Sequence, residues 1–483
     1  MKIPNDTLFY FFCDTMGLKS LWLKYGRYFS FVCGLALMTA AGTEYMFSTY
    51  APDLKDLMGY TQTQINFVGT CTNLGIYLGF YMGIVYDFTN ARYMSFVGGL
   101  FLFIGWFFAY AASIEFFPSS YILMGIFMFI QGNGSNAIYT AALANNIEKF
   151  HPSTRGTVVG FLVSMFGLSS AVFSPVYVHI FDSDVQEFLL FFSILLPMIA
   201  FTGIIFLSSP SKKQHFEVEM ETDSLIEKSN QAPIKEEVNT VKMLLRIDFW
   251  LLFIVFMLGA GVGLTIINNL GSLVESLGGS NSSQFVTLLS IFNCLGRIVS
   301  GILSDIALRY KILSRISVLA LFLVGMGLAQ VYFIGILYLD SDIWLYPGVA
   351  CVGLCYGALM SLSPSITTEL FGKTYFGGNW SVIRIAPAFS SFVMSTAIAG
   401  KLYERNIDGT GDDCYGWGCY GYTFCVNLGV CIITVLLCLI LSKRWNTFLK
   451  SEKLLPTKEP EFFESPQHEN YNSYDNYDTM YDE

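Results

Sequence analysis

Along the chain, long apolar runs alternate with short polar stretches, and each run is long enough to be a membrane-crossing helix. The runs cover 28–50, 63–85, 93–113, 119–144, 156–180, 186–208, 248–272, 284–304, 313–338, 344–368, 376–400 and 420–442. About 20 residues in a helix cross a hydrocarbon layer of roughly 30 Å. Between the sixth and seventh runs lies Ser209–Asn239, rich in Lys, Glu and Ser and too polar to bury, which predicts a flexible linker. The pattern therefore predicts an all-α integral membrane protein with twelve transmembrane helices in two six-helix bundles. The segments are an N-terminal stretch 1–27, bundles at 28–208 and 248–442, a connecting segment 209–247, and a disordered acidic, Tyr-rich tail 443–483.

Composition agrees with a membrane chain. Hydrophobic residues make up 53% of the 483 positions and charged residues 13%, against roughly 25% charged in soluble domains. The mean hydropathy is +0.52. The net charge of −10 resides mostly in the central segment, the outer loops and the tail, so it marks solvated segments rather than a cation site, and no nucleic-acid partner is expected. The 11 cysteines are scattered through apolar runs with no Cys/His cluster of zinc-ligand spacing, so neither a metal nor a cofactor is expected. Cys414 and Cys419 share one predicted outer loop, as a disulfide or as two free thiols. No short apolar stretch with a small-residue cleavage site opens the chain, so no cleaved leader is expected. The helices carry no His/Asp/Ser constellation, which argues against an enzyme.

Lys and Arg fix the expected orientation, because positively charged loops stay cytoplasmic. Of the 27, only Lys55, Lys401 and Arg405 fall in predicted outer loops, and Arg297 and Arg384 fall inside helices. With both termini in the cytoplasm the others lie on that same side, an asymmetry that favours an even number of spans.

The two halves share a motif. Gly83-x-x-x-Asp87 followed by Arg92 comes after the second run, and Gly301-x-x-x-Asp305 followed by Arg309 comes after the eighth. Gly lets helices approach closely, and Asp at a helix end can pair with the loop Arg and exchange partners, which suits a gate between two states. Duplicated in register, the motif resembles the loop signature of the major facilitator superfamily. That resemblance implies two bundles with a solute site between them. Further segments resemble one branch, the nodulin-like transporters and their Mch-type relatives, named for homology to monocarboxylate permeases. They are Ala41–Phe47 with Tyr50–Lys55, Gly134–Asn136, Phe150–Gly160, Asn268–Gly271, Ser276–Gly278, Thr368–Gly372 and Tyr375–Gly377.

Charges inside a membrane helix cost about 2.5–3.5 kcal/mol on insertion scales, which makes Glu44, Arg297 and Arg384 functional candidates. Arg297 offers a planar fork for a carboxylate or phosphate. By its Arg-x-x-x-Gly spacing it is similar to an Arg in the eighth helix of monocarboxylate transporters; the alternative is a hinge role, paired with Asp305 or a carbonyl. Glu44, about two-thirds along the first helix, is a candidate proton-coupling group, or else a substitution paired with an Arg, since the family usually has a neutral residue there. Arg384 either lines the site or reaches to water at the cytoplasmic end of its helix. Asn136, Asn268 and Asn269 are candidate solute contacts, with helix–helix hydrogen bonding as the alternative. The first helix lacks the acidic, Gly-rich entry motif and embedded Lys of true monocarboxylate transporters, and Lys55 is already in the outer loop, which weakens lactate-like specificity.

Short address signals complete the reading. Glu221, Leu225 and Ile226 have acidic-dileucine spacing, and Tyr477 with Met480 fits a Tyr-x-x-apolar signal, both of which clathrin adaptors read. They point to endolysosomal or vacuolar traffic, with the plasma membrane also open; a generic polar tail is the alternative. Asn281 is the only glycosylation sequon in a predicted outer loop. The expected function is alternating-access transport, by symport or facilitated flux, of a small organic anion such as a monocarboxylate, held between helices one, four, seven, eight and ten. Amino-acid or xenobiotic antiport and a non-transporting nutrient receptor are the competing readings.

Overall fold

The computed structural model describes residues 19–207, 237–277, 282–338, 342–405 and 417–454. Among these there is no strand. The first half runs α1 (Lys19–Ala41), a 3-10 segment Gly42–Met46, α2 (Phe47–Met58), α3 (Gln62–Leu78), α4 (Phe80–Phe88), α5 (Ala91–Ser113), α6 (Tyr121–Lys149), α7 (Pro152–Ile180) and α8 (Val185–Phe206). The second runs α9 (Thr240–Leu244), α10 (Ile247–Ser276), α11 (Ser282–Arg309), α12 (Arg315–Ile336), α13 (Leu345–Phe371) and α14 (Phe376–Ile383). It continues through α15 (Ala386–Ser390), a π-helical stretch Ser391–Gly400, α16 (Lys401–Glu404) and α17 (Trp417–Leu454).

Ten helical spans among the described residues are long and apolar enough to cross a membrane. Helices also occupy the two remaining predicted places, and each departs from a plain apolar span for a visible reason. The first predicted span is interrupted by the 3-10 segment, and its helix continues past the predicted end at 50 into α2, which contains Pro52. Helix α6 is enclosed by its neighbours, so Gln131, Asn133, Asn136, Asn145 and Asn146 are buried in protein rather than facing lipid. The last helix runs to Leu454, past the predicted end at 442.

Helix starts follow local chemistry. Thr61 and Gln64 form a reciprocal capping box on α3. Asp184 caps α8 through Gln186 and Glu187 N–H, and Ser314 caps α12. Within the first half, α1 packs on α6, α7 and α8, and α5 on α6 and α8. In the second, α11 packs on α13, and α12 on α13 and α17. The halves meet mainly through α7 against α11 and α13, and through α4 against α14. The α4–α14 and α7–α13 contacts reach the side where α8 ends and α10 begins, here called the linker side.

The chain returns from the linker differently from the hydropathy pattern. Val238 and Met243 are fully buried, Asn239 caps the short α9, and Val238 N–H donates to Phe371 O at 3.0 Å. The predicted linker therefore ends before Glu237. The predicted address residues Glu221, Leu225, Ile226, Tyr477 and Met480, the sequon Asn281, and Cys414 lie outside the described residues. Cys419 is disulfide-bonded.

Candidate functional site

Between the halves is a cavity of about 50 Å³, enough for a few waters or one small solute group. The predicted helices one, four, seven, eight and ten all reach it, through Glu44 and Tyr45, Tyr139, Phe256, Arg297, and Tyr356 with Met360. The second, fifth and eleventh spans also line it, with Tyr77, Phe166, and Trp380 with Arg384.

Glu44 is presented by the tightened 3-10 turn. That turn lies so close to α7 that a Cβ on Gly42 would strike the Phe166 carbonyl, and 3-10 interruptions inside long helices often accompany function. The Glu44 Oε2 atom is buried without a hydrogen-bond partner. Arg297, 2% exposed, is tied down on two sides: Nε donates to Asn293 Oδ1 at 3.2 Å, and Nη1 donates to the Val163 carbonyl of the opposite half. Its guanidinium occupies the space left by Gly167, where a Cβ would come within 2.6 Å of Nη1. Arg297 therefore does not pair with Asp305. Arg384 lies with its Cζ 4.2 Å from the centre of the Tyr139 ring. Neither guanidinium is within ion-pair distance of Glu44, so one carboxylate and two cations share the cavity with polar capacity unused.

The three asparagines stitch helices together instead of lining the cavity. Asn136 Nδ2 donates to the Gly79 carbonyl at 2.5 Å, where α3 gives way to α4. Asn268 donates to Ser391 and Ser395 Oγ, both at 3.1 Å. Asn269 donates to Thr265 O at 2.7 Å and Ser395 Oγ at 3.1 Å. The latter two hold the π-helical stretch against α10.

On the linker side, the duplicated motif joins the two halves. Gly83 and Asp87 lie one turn apart on a face of α4, as do Gly301 and Asp305 on α11. A Cβ on Gly83 would strike the Gly377 carbonyl, and one on Gly301 would strike the Gly156 carbonyl, so each Gly allows backbone contact across the interface. One turn on, Asp87 accepts from Gly377 and Gly378 N–H at 3.0 and 2.8 Å. Asp305 accepts from Gly156 N–H at 3.0 Å, Thr157 N–H at 2.6 Å and Thr157 Oγ1 at 2.7 Å. Each carboxylate thus sits at the N-terminal end of a helix from the opposite half, where the helix dipole favours negative charge.

The predicted loop arginines behave otherwise than expected. Arg309 is exposed. The cation on Asp305 is Arg315, at 2.6 Å and 1% exposed. Arg315 also pairs with Glu369 at 3.0 Å and donates to Pro152 O at 2.6 Å. The turn after α11 folds Arg315 back under the helix end and leaves Arg309 outside. Arg92 Nε donates to the Leu207 carbonyl at 2.9 Å.

A second fastening reaches the same place from the linker. Glu237 Oε2 accepts from Thr374 N–H at 2.9 Å, and Asn379 Nδ2 donates to Val238 O at 2.9 Å. Gly372 lies between them with φ +87°, and a Cβ there would collide with the Glu237 carboxylate.

Comparison with known proteins agrees with this architecture. Residues 27–226 match the Nodulin-like family model and residues 231–451 match the C-terminal domain model of NFD4. The chain is 27% identical to "Probable transporter MCH1" of Wickerhamomyces anomalus, over 77% of this chain and 79% of that one. It is 22% identical to "Protein NUCLEAR FUSION DEFECTIVE 4" of Arabidopsis thaliana, over 84% and 87%. Among solved structures, the transporter FucP in the outward conformation superposes with a TM-score of 0.55 at 14% identity, covering 85% of this chain and 98% of that one.

Proposed function

As a member of the nodulin-like, Mch-type branch of the major facilitator superfamily, this multi-pass membrane protein is a transporter of a small solute, and we propose that the solute is an organic anion. The observation that carries the reading is the charge of the cavity, where Arg297 and Arg384 face a single carboxylate. A guanidinium recognises a carboxylate in planar, two-pronged geometry. The tyrosine and tryptophan walls suit the apolar remainder of a monocarboxylate.

Glu44 is the proton-coupling group of this proposal. In the empty site its charge is balanced by the two guanidinium groups. An anion seated on them takes up that balancing charge, and a proton on Glu44 restores it, so anion and proton move together as a symport. Bundles 28–208 and 248–442 rock about the α7–α11 contact, and the linker side, sealed here, opens to release the solute. The Lys/Arg distribution supports a cytoplasmic linker side with both termini, in an endolysosomal, vacuolar or plasma membrane. The unpartnered Glu44 carboxylate also favours a second reading, in which a zwitterionic amino acid places its ammonium there.

The test is uptake into liposomes of labelled carboxylates, amino acids and sugars, with and without an inward proton gradient. Gradient-driven carboxylate uptake, lost in Arg384→Gln and reduced to uncoupled exchange in Glu44→Gln, is the expected result. Uptake of neutral solutes untouched by both changes would reject the anion reading, and saturable binding without flux would point to a receptor.

A further inference from the structure

Arg384 stands where a helix stops. Helix α14 ends at Ile383 with Arg384 as its C-cap, and the chain restarts at Ala386 with Pro387 in the first turn. Pro387 has no N–H, so the regular ladder of backbone bonds is broken beside the cavity. Among the described residues, no hydrogen bond or ion pair holds the Arg384 guanidinium. What faces it is the Tyr139 ring, 4.2 Å away and from the opposite half.

Tyr139 is itself firmly placed. It is 4% exposed and packs edge-on against Phe166 at 5.1 Å. Phe166 in turn takes Tyr45 edge-on at 5.5 Å. The sequence Tyr45, Phe166, Tyr139 is a rigid aromatic row whose last face is covered by a cation, the arrangement in which a desolvated cation–π contact is strongest. Arg297 is held differently, by hydrogen bonds to Asn293 and to the Val163 carbonyl.

We propose that Tyr139 is the positioning residue for Arg384: through its ring face it holds the guanidinium in the cavity, ready for the solute's carboxylate, and bolts the halves together at the level of the site. This rests on the reading of Arg384 as an anion-binding residue. The hydroxyl of Tyr139 is not needed for the role, so Phe serves in its place, whereas Leu keeps bulk and loses the π face.

The experiment compares wild type, Tyr139→Phe and Tyr139→Leu in the purified full-length protein. Phenylglyoxal, which modifies arginine, is applied for a series of times and each arginine is read by peptide mass spectrometry. The expected result is modification of Arg384 about tenfold faster in Tyr139→Leu, with Tyr139→Phe like wild type. Arg297 in the same samples stays unchanged, which separates a local release from a loosened fold. Equal Arg384 rates in Tyr139→Leu and wild type, or Tyr139→Phe behaving as Tyr139→Leu, would overturn the proposal. In liposomes, KM for labelled pyruvate rises about tenfold in Tyr139→Leu with kcat little changed, and Tyr139→Phe restores it. Absent pyruvate uptake would count against the anion reading while leaving the modification result to decide the role of Tyr139.

Discussion

Asp305→Asn should loosen the linker-side closure. The carboxylate makes three contacts across the interface, to Gly156 N–H, Thr157 N–H and Thr157 Oγ1. It also makes one within its own half, to Arg315. The Arg315 contact persists when the halves part, so it cancels from the difference between sealed and open states. Hydrogen bonds to a charged group contribute about 1.5–3 kcal/mol each. Asn keeps a single acceptor oxygen and turns an amide N–H₂ toward donors, so it retains roughly one of the three contacts. The sealed state then loses about 3 kcal/mol, and the open population rises roughly 10²-fold. A cysteine at Ser381, buried at the α4–α14 contact, reports this population by its rate of reaction with a water-soluble maleimide, read by peptide mass spectrometry. A change below about fivefold would place the Asp305 contacts in the range of exposed ion pairs and refute the account of the gate.

Gly301→Val, whose side chain would meet the Gly156 carbonyl, should raise labelling at Ser381→Cys in the same direction, because the α7 and α11 backbones must part to admit it; unchanged labelling would show that the contact is not needed for closure. His151 lies outside the spans and caps α7, accepting from Ser153 N–H through Nδ1. Partial burial and the nearby Arg155 hold its pKa below the usual histidine value. A base whose native pKa is depressed contributes stability that is present above its unfolded value, about 6.5, and is lost as the pH falls through the native one. Thermal stability should therefore decline below about pH 6.5, and His151→Asn, which keeps an acceptor that does not titrate, should flatten that decline.

Much of the architecture was legible because spanning a membrane imposes it: the apolar runs, the polar break between halves and the in-register Gly-x-x-x-Asp pair need no tertiary information. Glu44, Arg297 and Arg384 were legible for the same reason, since a charge is conspicuous among apolar neighbours. Arg315 was not. It lies among the many Lys and Arg that the orientation rule already accounts for, and only the turn after α11 reveals that it is buried on Asp305 and Glu369. Tyr77, Tyr139, Tyr356 and Trp380 were hidden by abundance, because aromatic residues are 16% of the chain and sequence spacing does not separate a cavity wall from a lipid face. The asparagines could not be resolved for a related reason, because an amide suits a solute and a helix break equally well, and Asn136 is at the Gly79 break.

The fastening of Glu237–Asn239 bears on where the chain can be divided. These residues form part of the floor of the second half: Val238 is fully buried there, and its backbone and the Glu237 carboxylate bind the α13–α14 turn. Two separately expressed halves should therefore reassemble only if the cut falls upstream of Glu237. A cut at 247, where the apolar run begins, would leave the second fragment without the residues that shape the receiving surface for Asp87.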